Sequence, residues 1–177
     1  SKKIRASSNS NVISVTGSSG KTSVKEMLGY AFSNLSRAAF SKNSFNNKIG
    51  VPLSITSLKK NTNFGIFEVG MDKRGEINSL SKIIKPEVGI ITNISYAHIK
   101  NFNNLHGIAR AKSELLDNIL EGGFAVLNSD DKFFNFLKNR SLQNKLNVIS
   151  FGKNNNSDIK FFKIEKIKKD FIIYIQK

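Results

Sequence analysis

Cysteine is absent from the 177 residues, so neither a disulfide nor a thiolate metal site can form. That absence fits a cytoplasmic protein. No run of about 18 or more apolar residues occurs, so nothing in the sequence reads as a membrane span. The basic start Ser1-Lys2-Lys3-Ile4-Arg5 has no apolar core behind it and does not read as a secretion signal. Acidic residues are scarce: 13 Asp and Glu stand against 28 Lys and Arg, a formal charge of +15. Such an excess can mark a nucleic-acid or phosphate-binding protein. Here the basic residues form no dense block, the nearest to one being Lys163, Lys166, Lys168 and Lys169. We read the charge as lysines scattered over solvated faces and expect no specific nucleic-acid partner. A basic nucleic-acid module would need aromatic residues among those lysines. The 14 phenylalanines fall mostly in apolar runs instead, where core packing is the default.

What is present suits one domain with a sizeable core, 39% of it hydrophobic. Short β-rich runs alternate with helical patterns, the signature of an α/β sheet. Val12–Val15, Gly65–Val69, Val88–Asn93, Phe124–Asn128 and Asn147–Phe151 read as strands. Helices are expected over Lys21–Leu35 and Leu105–Leu120. The tail, Ile159–Ile164 and Phe171–Ile175, reads as a hairpin turning at Lys168-Lys169-Asp170, either added to the sheet or forming a small one. The fold expected is α/β, a three-layer, mostly parallel sheet with a C-terminal β-hairpin. Three of the strands end in a polar residue and a loop, and ligands of open α/β sheets bind at those carboxyl ends.

Five segments could carry chemistry. Thr16-Gly17-Ser18-Ser19-Gly20-Lys21-Thr22 lies between a strand and a helix. Its glycines let backbone wrap a phosphate, and the helix N-terminus adds N–H groups and a favourable dipole. Lys21 can reach terminal phosphates and Thr22 can offer a hydroxyl to Mg²⁺. The strict P-loop wants glycine where Val15 stands, so the general pattern is only partly met. Glu68 ends a strand before a glycine-bearing loop (Gly70, Gly75), and carboxylate oxygens suit Mg²⁺, although a lone strand-end Glu is usually just solvated. His98 follows the strand ending in Asn93; the chain has only one other histidine, His106, and a lone histidine is more often structural than a ligand. Lys112 falls inside an apolar stripe of Ile108, Ala111, Leu115 and Ile119, so it must either snorkel outward or serve a purpose. Asn128, at a strand end ahead of Ser129-Asp130-Asp131, could read a nucleobase edge; alternatively Ser129 or Asp130 caps a helix.

Together and in this order, these pieces resemble the Mur ligases, whose phosphate loop TGxxGKT also lacks the first P-loop glycine. Further segments resemble the D-alanyl-D-alanine-adding branch of that family. They are Val24-Lys25-Glu26-Met27, Ser44-Phe45-Asn46-Asn47-Lys48-Ile49-Gly50-Val51-Pro52-Leu53, Glu68-Val69-Gly70-Met71 with Gly75-Glu76-Ile77, Ile91-Thr92-Asn93-Ile94 with Ala97-His98, Ala111-Lys112-Ser113-Glu114, and Asn128-Ser129-Asp130-Asp131. The resemblance extends from about Val12 to Gly152. One departure follows His98, where the family's acidic residue and glycine give way to a stretch with Lys100 and Asn103.

The resemblance implies an ATP-dependent carboxylate–amine ligase of peptidoglycan precursor synthesis, working through an acyl phosphate. Its partners would be ATP, UDP-N-acetylmuramoyl-tripeptide and D-alanyl-D-alanine. It implies that Gly17, Ser18, Ser19, Gly20, Lys21 and Thr22 hold the ATP phosphates, and that Asn128 and Asp131 serve the nucleotide. It further implies Mg²⁺ held by Thr22, Glu68, His98 and Lys112, the last as a CO₂-derived carbamate, and acceptor contacts from Asn46 and Asn47. Lys21, His98 and Lys112 would be the catalytic set. A folylpolyglutamate synthase-like ligase is the nearest alternative, and the segments around Asn46 and Met71 speak against it. The resemblance also implies that the full-length Mur ligase carries an N-terminal UDP-sugar domain and a C-terminal domain. Neither fits in residues 1–177, so the sequence is expected to be the central domain alone, unable to complete the reaction.

Overall fold

The computed structural model describes residues 1–96, 101–102, 104–167 and 170–176. His98 and the Lys168-Lys169 turn therefore lie outside the described residues, as do Lys100 and Asn103. In chain order the elements are α1 (Lys2–Ala6), β1 (Asn11–Thr16), α2 (Lys21–Leu35), β2 (Ala38–Phe40), α3 (Gly50–Ile55), β3 (Phe64–Glu68) and α4 (Glu76–Ile84). They continue with β4 (Val88–Ile91), α5 (Leu105–Ser113), a 3₁₀ turn (Leu116–Asn118), β5 (Phe124–Asn128), α6 (Phe134–Gln143), β6 (Asn147–Gly152), β7 (Ile159–Ile167) and β8 (Asp170–Gln176).

The strands form one sheet in the order β2-β3-β1-β4-β5-β6-β7-β8. All neighbours are parallel except the final pair, β7 and β8. The tail hairpin is thus an extension of the main sheet, joined where Phe151 and Gly152 pair with Ile159 and Lys160. β1 is central, with Ile13 opposite Ile66 of β3 on one side and Val88 of β4 on the other. The chain builds β2 and β3 to one side of β1 and then crosses to build β4 and β5 on the other. The carboxyl end of β1 is therefore the switch point where such sheets open a ligand crevice.

Two apolar layers cover the sheet. The larger contains Ile55 of α3, Ile77, Leu80 and Ile84 of α4, Ile108 and Ala111 of α5, and Leu137 of α6, packed on Val12, Phe67, Ile91 and Leu127. Ile77, Leu80 and Ile84 recur at the spacing that puts one side of a helix against a sheet. The smaller layer is Ile13, Val15 and Ile66 beneath Val24, Leu28 and Phe32 of α2. Gly29 lets α2 sit close over β2, because a Cβ there would meet the Phe40 ring at 2.6 Å.

Two sequence expectations change. The helix expected to reach Leu120 stops at Ser113. Leu115 and Leu116 are adjacent and both fully buried, which the 3₁₀ turn accommodates, and Ile119 becomes extended with its side chain over Gly89. Neither Ser129 nor Asp130 caps α6. Asp130 instead accepts the N–H groups of Lys153 and Asn154, and Ser129 bonds Ser157 and the Phe151 carbonyl. β2 has no β-branched residue to announce it, and the short α3 holds Pro52, so neither was legible as an element.

Candidate active site

The carboxyl ends of β1, β3, β4 and β5 bring Thr16, Glu68, Ile91 and Asn128 to one edge of the sheet. The loop Gly17–Gly20 leaves β1 there and leads into α2 at Lys21. Gly17 has φ +150°, and a Cβ on it would stand 1.8 Å from Thr92 Oγ1, so backbone passes where no side chain fits. Gly20 has φ +77° and opens the helix. The segment after β4 braces the loop from one side. Thr92 Oγ1 donates to the Ser19 carbonyl at 2.6 Å, Ser18 N donates to the Asn93 carbonyl at 2.9 Å, and Asn93 Oδ1 accepts Ser19 N at 3.2 Å. Ser18 Oγ also accepts Ser95 N at 2.8 Å. Bracing by Thr92 and Asn93 was missed as a site role, although two polar residues beyond a buried strand at the ligand edge were its signal.

From below, the loop is held by Lys112. Its side chain does not snorkel: Lys112 is 2% exposed and its Nζ donates to the Gly17 carbonyl at 2.8 Å. Burial, and then repulsion from Lys21, pull its pKa down to about 7. A neutral amine is thus accessible near neutral pH. Lys21 itself lies against the loop, its Nζ 3.4 Å from the Ser18 carbonyl.

Glu68 is almost fully buried at 1% exposure. Among the described residues its carboxylate meets neutral donors: Thr22 Oγ1 at 2.8 Å and Asn46 Nδ2 at 2.7 Å. A carboxylate at the ligand edge with a hydroxyl and an amide as its neighbours offers oxygens of the kind that suit a divalent cation. The described residues contain no group of three His, Cys, Asp or Glu that could hold a metal ion.

The family model for the Mur ligase middle domain matches residues 15–175. The chain belongs to the Mur ligase family. It is 37% identical over 156 residues, 88% of the chain and 34% of the relative, to the UDP-N-acetylmuramoyl-tripeptide–D-alanyl-D-alanine ligase of Buchnera aphidicola. A crystal structure of MurF from Acinetobacter baumannii superposes with TM-score 0.88 at 33% identity, covering 98% of this chain and 37% of that one. MurF from Thermotoga maritima in complex with ADP matches with TM-score 0.88 at 27% identity, over 98% and 40%. The chain therefore spans about a third of the length of the curated relatives it matches.

In this Mur ligase domain the remaining anticipated residues divide into two places. Asn46 and Asn47 stand beside the phosphate loop, lining a cleft of 340 Å³ with Lys21, Lys48, Met71 and Glu76. Asn47 Oδ1 accepts the N–H groups of Ile49 and Gly50 and so starts α3. On the cleft's far wall Glu76 accepts the Asp72 and Lys73 N–H groups. The Asp72 N–H is the first reason its carboxyl lies below the usual range. Asn128 and Asp131 lie on the other side of the loop. Asn128 donates to the Thr92 carbonyl at 3.2 Å and accepts Asp130 N at 2.9 Å. Asp131 accepts Ile94 N at 2.6 Å and Phe133 N at 2.9 Å.

Proposed function

We infer that this chain is the ATP-binding part of a ligase that joins D-alanyl-D-alanine to UDP-N-acetylmuramoyl-tripeptide. The observation that carries this reading is the Thr22–Glu68–Asn46 chain of hydrogen bonds beside a phosphate loop at the switch point of the sheet. The names of the relatives supply the substrates. The remaining two thirds of the enzyme would bind the UDP-sugar on the N-terminal side and complete the ATP and amine sites on the C-terminal side. ATP and a UDP-linked acceptor are cytoplasmic metabolites, which supports a cytoplasmic reading.

With the Ser18 and Ser19 N–H groups engaged by Asn93, the N–H groups of Gly20, Lys21 and Thr22 at the start of α2 and the Lys21 ammonium would hold and neutralise the ATP phosphates. Asn128 and Asp131 serve the adenine end, and the cleft walled by Asn46 and Asn47 receives the acceptor. The terminal carboxylate of the tripeptide attacks the γ-phosphorus, ADP leaves, and an acyl phosphate results. The amine of D-alanyl-D-alanine then attacks the acyl carbon and expels phosphate. Most of the rate enhancement in such a transfer is positioning and charge stabilisation. Glu68, Thr22 and His98 would hold Mg²⁺, which supplies charge neutralisation on the phosphate oxygens. Lys112 would join them as a carbamate: its neutral amine adds to CO₂ and sheds a proton, so a buried cation becomes an anion. The depressed pKa supports that step, because only the neutral amine is nucleophilic.

The test is ATP turnover by the full-length enzyme. Phosphate release should require both UDP-N-acetylmuramoyl-tripeptide and D-alanyl-D-alanine, and Lys21→Ala should lower kcat by about a hundredfold or more. Turnover driven by a different acid–amine pair would move the chain to another ligase of the superfamily.

A further inference from the structure

We propose that Lys25 is a positioning residue that ties the loop of residues 41–47 to the phosphate-loop helix and thereby sets how tightly the acceptor substrate is held. The proposal rests on the ligase reading above. Lys25 stands one turn after Lys21 on α2 and is fully buried, whereas most lysines bury only the stem and keep Nζ in water. Its Nζ meets three oxygens, one for each N–H of a lysine ammonium: the Ser41 carbonyl at 2.7 Å, the Asn43 carbonyl at 2.9 Å and the Glu26 carboxylate. The Phe40 ring lies 6.0 Å away.

These bonds close a circuit. Ser41 is held at three points, giving its N–H to Ile66, its carbonyl to Lys25, and its hydroxyl oxygen to the Glu68 N–H at 3.1 Å. Asn43 adopts φ +49°, a turn conformation uncommon for residues with a side chain. Its carbonyl is nevertheless turned onto Lys25. Past that turn, Asn46 gives its carbonyl to Gly70 N at 2.8 Å and its amide to Glu68. Glu68 then accepts Thr22, which is back on α2, three residues before Lys25. The helix that begins at the phosphate loop thus grips the acceptor loop twice, once through Glu68 and once directly.

A buried charged group contributes little to stability compared with a well-packed apolar one. A leucine or methionine beside Phe40 would serve the core as well. What an apolar residue cannot do is fix two loop carbonyls. Without Lys25 the 41–47 loop loses its hold on α2, and the cleft wall at Asn46 and Asn47 shifts. The backbone N–H groups of residues 17–22 stay in place, because Thr92 and Asn93 brace them independently.

The full-length ligase tests this with Lys25→Met. The KM for UDP-N-acetylmuramoyl-tripeptide should rise by about tenfold or more, while ADP binding stays within roughly twofold of the parent. An unchanged acceptor KM, with only a lower melting temperature or a lower active fraction, overturns the proposal and leaves Lys25 a structural residue. If Lys25→Met does not fold, Lys25→Gln keeps two donors on a shorter arm and should give the same split; an unchanged KM counts against the proposal equally. Amide exchange reads the clamp without turnover. Residues 41–50 should exchange about tenfold faster in the variant, with residues 17–22 unaltered. Equal exchange overturns the proposal even if the substrates prove to be others, whereas a wild-type enzyme without D-alanyl-D-alanine-dependent turnover overturns only the ligase reading.

Discussion

Two residues beneath and within the phosphate loop carry the sharpest physical consequences. A methyl group on Gly17 would lie 1.8 Å from Thr92 Oγ1, at a φ that L-residues rarely adopt. Gly17→Ala should therefore destabilise the fold by about 2 kcal/mol or more and weaken nucleotide binding together with stability. Thermal melts and ADP calorimetry on the same sample would check both, and an unaltered melting temperature would contradict the geometry. Lys112 predicts a pH dependence. Its folded pKa near 7 lies below the ordinary 10.5, so between those values the unfolded chain binds a proton that the native chain does not. Stability must then rise with pH through that window, at up to about 1.4 kcal/mol per unit from this one group, and the burial penalty is fully present below pH 7. Lys112→Met should flatten the rise between pH 7 and 9 measured by urea unfolding. A slope identical to that of the parent would show that the native amine is not neutralised by burial. The stripe of Ile108, Ala111, Leu115 and Ile119 put Lys112 on an apolar face but left open whether its head snorkels outward, which the fold answers by burying it. The Gly17 carbonyl as its partner was not legible, since it depends on how α5 docks under β1, 95 residues away in sequence.

At the scale of elements, one contact joins two helices of the larger layer. Glu114, at the end of α5, gives its two carboxylate oxygens to Gly75 N at 2.8 Å and Asn78 N at 3.0 Å, the first turn of α4. No side chain within α4 caps that end. Glu114→Ala should thus remove an N-terminal cap and a favourable charge on the helix dipole, costing about 1–2 kcal/mol, with an unchanged m-value in urea. A loss below a few tenths of a kcal/mol would mean that water replaces the carboxylate. The opposite end of α4 is fixed in the same manner. Arg5 of α1 donates to the Ile84 and Lys85 carbonyls and to Glu87, so α1 closes the helix from outside. Strands with dense β-branched residues, such as β1 and β4, and the helix after a glycine loop were readable because local pattern and tertiary role agree. β2, α3 and the break after Ser113 were not. Three residues of strand are stabilised by their neighbour β3 rather than by their own composition, and a helix ends where two adjacent leucines must both be buried.

For the whole molecule, the open question is the charge of +15. The architecture suggests two distinct ways for this protein to meet an anion. In the phosphate loop, one lysine stands at a helix N-terminus, where backbone N–H groups and the helix dipole favour an anion. On the surface, lysines are spread over α1, the middle of α6, the β7 strand and several loops, including Lys59, Lys60, Lys138, Lys145 and Lys163. Some of the described lysines pair with carboxylates, such as Lys145 with Glu121 and Lys48 with Glu76. The sequence already argued for dispersal, because no basic block occurs; the fold adds that these lysines lie on different elements. The two modes respond differently to salt. Displaced counterions dominate binding of a dispersed cation to duplex DNA, so its affinity should fall by about a thousandfold between 50 and 200 mM salt if six or so phosphates are engaged. ADP held by directed hydrogen bonds within a Debye length of a few fixed charges should weaken far less, by roughly tenfold or under. Titrating one preparation with ADP and with a random-sequence duplex across that range measures both slopes. Parallel slopes, or duplex binding that stays tight near 150 mM, would mean that the surface lysines form a specific nucleic-acid site after all.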